Sequence, residues 1–218
     1  MKKRPVVSFF VIFFAWGLFC NVGINVSACY NSYYSGYSDY ACHVLVNGVG
    51  NYGNNTRRYW IDSGATQFSA QIQAAANSWI YTTASLGVTT PISLAQTTTK
   101  TQGIFEVHYS ANPISAFGTS PGGVDFYLFN YSSVNPTSTN WEWAKISLNS
   151  TYFSNLSSNA GQGTIAHEFG HTFGLNHPDV FYAIQCTNES YYIMMPSNAG
   201  RTTYTPHAND LAIINHLY

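Results

Sequence analysis

Apolar positions recur along this chain at two different periods, and turn residues mark where one gives way to the other. From Phe68 onward, Phe68, Ile72, Ala75, Ala76 and Trp79 return at helical spacing with polar residues between them, which predicts an amphipathic helix. Four shorter stretches rich in aromatic and β-branched residues predict strands at 59–61, 104–109, 124–129 and 144–148. Ser120-Pro121-Gly122-Gly123 reads as the turn that leads into the third of them. A second helix is predicted over about 159–173, with Ile165, Phe169 and Phe173 as its apolar stripe. Asn159 and Gln162 make a capping box for it, and Gly174 stands where a left-handed residue would stop it. A third helix runs from about Pro206, read as a first helical position, to Leu217, with Leu211, Ile214 and Leu217 on one side. A few strands flanked by helices at both ends make an α/β or α+β domain. No long-period repeat or Pro-rich linker divides it, so a single domain is expected.

The N-terminus follows neither period. Lys2, Lys3 and Arg4 precede an unbroken apolar run, VVSFFVIFFAWGLFC, and small residues follow at Val26-Ser27-Ala28. Charged start, short apolar middle and small-residue end are the three parts of an export signal, read here as residues 1–28. The run is shorter than the ~20 apolar residues a bilayer span needs, an uncleaved anchor extended through Val22, Ile24 and Val26 being the alternative, and no later stretch is long enough. Residues 29–55 form a Tyr/Asn/Ser/Gly-rich lead-in with weak periodicity, and residues 56–218 carry the working domain.

Composition narrows the function classes. Of 218 residues, 45% are hydrophobic and 17% aromatic, which is ample for one core. Only 8% are charged, against ~25% in ordinary soluble domains, and the net charge is −1. No basic stripe is present, so nucleic acid is excluded as an expected partner. Cys20 falls in the signal, leaving Cys29, Cys42 and Cys186. Two arrangements stand open: Cys29 is lipidated at a lipobox-like Val-Ser-Ala-Cys and Cys42 pairs with Cys186, or Cys29 pairs locally with Cys42 and Cys186 is free. Five Asn-x-Ser/Thr sequons follow the signal, at Asn54, Asn130, Asn149, Asn155 and Asn188, about as many as so Asn-rich a chain would hold by chance.

The chemistry concentrates in His167-Glu168-Phe169-Gly170-His171-Thr172-Phe173-Gly174-Leu175-Asn176-His177. Histidines four apart share a helix face and can converge on one metal ion. Gly174 lets the chain turn so that His177 returns to the same ion. Three imidazoles and a water make the open, catalytic kind of zinc site rather than the closed structural kind. Glu168, beside the first ligand, is the candidate general base. Five specified positions in a chain this poor in His and Glu would coincide by chance at on the order of 10⁻⁵. His43, His108, His207 and His216 have no ligand spacing, so one zinc is expected and no second.

HExxHxxGxxH, within GTIAHEFGHTFGLNH, resembles the metzincin clan of zinc peptidases, and most closely its matrixin branch, the matrix-metalloproteinase type. Tyr192-Ile193-Met194-Met195-Pro196 is similar to the clan's Met turn, with Met194 as the structural methionine. No Tyr stands two positions after Met194, as it does in the astacin and serralysin branches. Ile146-Ser147-Leu148-Asn149 resembles the strand before the active-site helix, and NDLAIINHLY resembles the last helix, with Asp210 at its usual acid. The resemblance is specific over about 160–196. It implies an α+β fold: a twisted mixed sheet, three helices and a zinc cleft between an upper and a smaller lower subdomain. Departures are a missing cysteine switch, Pro178 after the third His, and too few acids for the family's calcium sites, of which none is assigned.

The expected activity is therefore a secreted, monomeric zinc endopeptidase acting on protein or peptide. Zinc lowers the pKa of its water and polarises the scissile carbonyl, while Glu168 carries the proton to the leaving amine. Extended substrate is expected to pair with the strand at 124–129, and the 197–206 loop to wall the pocket beside the cleaved bond. Two competing readings are a surface or adhesion protein that keeps zinc for stability, and an amidase acting on cell-wall peptides.

Overall fold

The computed structural model describes residues 56–80, 86–111, 119–136, 138–177, 192–196 and 200–218. The expected signal, the Tyr/Asn-rich segment and all four cysteines lie outside those residues, and with them the lipidation and disulfide readings.

The architecture is α+β. Strands β1 (Arg57–Ile61), β2 (Leu94–Thr97), β3 (Phe105–Ser110), β4 (Gly122–Tyr127), β5 (Ser133–Val134) and β6 (Trp143–Asn149) form one mixed sheet in the order β2-β1-β3-β6-β4-β5. The pairs β1–β2, β1–β3 and β3–β6 are parallel, whereas β4 runs antiparallel to both β6 and β5. Helix α1 (Ser69–Asn77) lies in the connection between the parallel strands β1 and β2, which a hairpin could not join. A single-turn helix, α2 (Ser150–Phe153), leaves β6 and leads to α3 (Ser158–Thr172), and α4 (Ala208–Leu217) closes the chain.

The period-two alternation puts Tyr59, Ile61, Phe105, Val107, Ala144, Ile146 and Leu148 into the core. There they meet the α3 stripe: Tyr59 lies edge-on to Phe169 at 5.7 Å, and Phe105 to Phe173 at 6.0 Å. Trp79 sits just past the end of α1 rather than inside it. It is nonetheless fully buried, and its indole N–H donates to Ala166 O at 3.0 Å, tying that turn to the middle of α3. Burying such a ring removes a large apolar surface from water while the hydrogen bond satisfies its one polar atom.

Local chemistry differs from expectation at several ends. Ser157, not Asn159, caps α3, its hydroxyl accepting from Ala160 N at 3.3 Å, so Asn159 falls within the first turn. Pro206 precedes α4 rather than opening it. His207 is the cap, with its ring nitrogen accepting from Asn209 N, and Asp210 accepts in return from His207 N at 2.7 Å. Gly122 and Gly123 are strand rather than turn, in register with Leu148 and Ser147. The third predicted strand ends at Tyr127, because 128–132 turn back with Tyr131 at a φ of 66°. The Asn149 sequon is buried, its side chain accepting from Thr151 N to cap α2. Among the described residues no helix is long and apolar enough to cross a membrane.

Candidate metal centre

Helix α3 is buried along nearly its whole length, so the polar residues it carries inward need a reason to be there. His167 and His171 are one turn apart on it. The helix then ends in a Schellman motif: Leu175 N donates to Gly170 O at 3.0 Å, Gly174 N donates to His171 O at 2.9 Å, and Gly174 takes a φ of 97°. A side chain at position 174 would be strained, which is why the motif needs glycine there. That reversal brings His177 back over the helix.

The three rings converge edge to edge. His177 Nε2 lies 3.0 Å from His167 Nε2 and 3.1 Å from His171 Nε2, and one ligand atom from each ring falls within 4.8 Å of the others. His167 Nδ1 lies 2.7 Å from Ile193 O, and His171 Nδ1 lies 2.8 Å from Leu175 O. A carbonyl only accepts, so both Nδ1 atoms carry the proton and both Nε2 atoms turn lone pairs towards His177. At most one of the close nitrogen pairs can then be a hydrogen bond. Lone pairs brought together in this way fit a cation: a tetrahedral ion with metal–nitrogen bonds of ~2.0–2.1 Å separates its ligand nitrogens by about 3.3 Å. The cluster can therefore hold a metal ion. Burial keeps the imidazoles neutral, the form that ligates, with His171 pushed down to about 3 and His167 and His177 also lowered.

Glu168 lies beside this cluster and is almost fully buried. No hydrogen bond or ion pair joins its carboxyl to another described residue, and burial raises its pKa to about 8, the Arg201 charge opposing. Gly122 of β4 passes so close that a Cβ there would stand 2.9 Å from Glu168 Oε1. Together they border a cavity of about 500 Å³ that also takes in His167, His171, His177 and Arg201.

Beneath the histidines runs the turn at 192–195. Met194 fills the space that a Cβ on Gly170 would occupy, so the thioether rests directly on the helix. Ile193 O receives His167, while Ile193 N donates to Asp210 Oδ2 at 3.2 Å. Arg201 Nη1 donates to Ile193 O at 3.2 Å and to Met195 O at 3.4 Å. Asp210 is fully buried, and burial lifts its pKa to about 7 against the backbone N–H groups it accepts. The ligand-bearing helix and the methionine turn are thus joined through one carbonyl.

All five residues singled out in the sequence come together: His167, His171, His177 and Glu168 on the cavity, and Met194 below it. His108 is elsewhere, on β3 against Glu106 at 2.7 Å, and His207 caps α4. Sequence reasoning did not single out Arg201 or foresee that Asp210 holds the turn. Arg201 had a signal: after Lys145 it is the only Lys or Arg in the chain.

No family model and no curated protein sequence matches this chain. Among solved structures it is similar to the GM1-bound form of the ECX AB5 holotoxin, with a TM-score of 0.49 and 13% identity over 84% of this chain and 86% of that one. It is also similar to two structures of myroilysin. One gives a TM-score of 0.37 at 14% identity over 75% and 73% of the two chains, the other 0.41 at 15% over 84% and 96%. These likenesses are distant, and the chemistry of the site rests on its own geometry.

Proposed function

We propose that this chain is an exported zinc endopeptidase of the metzincin type, matrixin-like, with His167, His171 and His177 as ligands and Glu168 as general base. The observation that carries the reading is the pairing of three neutral imidazoles, two with their tautomers set by backbone carbonyls, with a buried carboxyl that no described residue hydrogen-bonds. A structural metal site would have no use for that carboxyl, whose burial costs stability without a compensating hydrogen bond. Bound zinc would supply Lewis acidity, lowering the pKa of a coordinated water towards ~7 and polarising the scissile carbonyl. Glu168 would take a proton from the attacking water and give it to the departing amine. A cation beside it would draw its pKa down from about 8 towards the range a base needs.

The strand that would receive extended substrate starts two residues earlier than the sequence implied. β4 pairs with β6 along its length but with β5 only at Phe126 and Tyr127. The other edge of 122–125 has no strand partner among the described residues, and Gly122, Gly123 and Val124 line the cavity. Substrate added there would run past Glu168.

The test is cleavage of a mixed peptide library by the full chain, with and without a zinc chelator, alongside Glu168→Ala. Wild type should cleave, lose activity to the chelator and regain it with zinc. Glu168→Ala should keep its zinc and lose about 10²–10⁴-fold in rate. Equal rates in both proteins, or cleavage by neither, would remove the peptidase reading.

A further inference from the structure

Among the described residues Arg201 is the one permanently charged cation on the cavity wall, and the mechanism proposed for Glu168 does not use it. Its guanidinium is largely withdrawn from water, yet no carboxylate comes within ion-pair distance of it among the described residues. Among the described residues its hydrogen bonds, both from Nη1, go to the carbonyls of Ile193 and Met195, which accept a proton but carry no charge. Of the two acids whose charges reach it, Asp210 accepts from His207 N and Ile193 N, and Glu168 shares the cavity wall at more than ion-pair distance. A guanidinium has five donors in a flat fork, suited to a two-pronged carboxylate, and among the described residues only Nη1 is engaged. The cavity wall also holds Val124, Phe126 and Pro196, apolar surface for an aliphatic stem, and one acid, Glu168.

We propose that Arg201 receives a carboxylate of the substrate beside the cleaved bond, making the protein selective for peptides that carry an acid there. The carboxylate can be an acidic side chain or the free C-terminus of a short peptide. Both present the same two oxygens to the same fork. The inference rests on the peptidase reading of the site. A charged donor partly shielded from water holds such a group strongly enough for a roughly ten- to hundredfold preference.

Two pairs of peptides distinguish the sources: Glu against Gln next to the cleaved bond, and a C-terminal acid against its amide. Zinc-loaded full chain should cleave the carboxylate member of at least one pair about tenfold to hundredfold faster by kcat/KM. The first pair responding identifies the side chain, and the second the chain terminus. In Arg201→Met the ratio should fall to near one, and in Arg201→Lys it should stay between the two. The ratio within one protein is unaffected by any general loss of activity from a disturbed Met turn. Equal rates for both members in wild type, or a preference that survives in Arg201→Met, would overturn the proposal. Should no peptide be cleaved, the peptidase reading fails first, and calorimetric titration with acetylglutamate against acetylglutamine amide, which carries no carboxylate, still decides the carboxylate site. Acid-selective binding that Arg201→Lys weakens supports it; equal binding of the two overturns it. The same titration serves if Arg201→Met does not fold.

Discussion

Glu168 and Asp210 are both carboxyls that burial drives upward, but among the described residues only Asp210 has hydrogen bonds to hold it. Asp210 accepts from two elements at once, the start of α4 and the turn carrying Ile193, which makes it a joint of the fold. Its pKa is about 7 in the folded chain against 3.8 ordinarily, so the folded state binds that proton more tightly. The stabilisation is then complete below about pH 4 and is lost as pH rises towards 7. Asp210→Asn keeps an oxygen that can accept from His207 N and Ile193 N, and it has nothing to titrate. In the metal-free chain, the melting temperature of the variant minus that of wild type should climb between pH 4 and 7, then level off. The shared histidines and Glu168 cancel in that difference. A flat difference would mean that Asp210 is already ionised throughout.

At the scale of elements, what was legible in the sequence is what repeats locally. The α3 stripe and the ligand spacing follow a 3.6 period, and Ile165, Phe169 and Phe173 are all buried as that period requires. β2 escaped because Leu94-Ala95-Gln96-Thr97 has too little apolar character of its own and is held as a strand by its parallel partner β1. Gly122-Gly123 read as a turn because paired glycines usually are. Here the neighbours that crowd Gly122 come from another element, with Glu168 Oε1 2.9 Å and Thr164 Cγ2 3.1 Å from where a Cβ would stand. Contacts between distant parts of the chain leave no periodic trace, and the seating of Met194 on Gly170 is another of them. Gly170→Ala would drive a methyl into the thioether, at a cost of about 1–3 kcal/mol. In a domain of this size that lowers the melting temperature by roughly 2–12 °C. Adding Met194→Ala should remove the clash, so the double variant should lose less than the sum of the singles. Strict additivity in thermal melts would show that the two residues do not meet.

For the molecule as a whole, the three-histidine cluster spans helix α3 and the segment beyond its cap, which the core holds through buried Leu175. His167 and His171 ride on the most deeply buried helix, whereas His177 hangs from the segment after its cap, where its ring meets the two other imidazoles and is lowered in pKa by burial. Without an ion, three neutral rings with facing lone pairs gain little from one another. With an ion, every ligand must be in place at once, so metal affinity becomes folding free energy. Zinc at about a thousand times its dissociation constant adds about 4 kcal/mol, or roughly 10 °C in melting temperature. His177→Ala separates the two contributions. Stripped of metal, the variant should melt within a few degrees of wild type, because the ring it loses supports no core packing. Given zinc, it should gain much less than wild type, because two imidazoles on one helix face leave the ion without its third anchor. If the metal-free variant instead unfolded far below wild type, His177 would be a packing residue. If zinc raised both proteins equally, the ion would be held somewhere other than on these three rings.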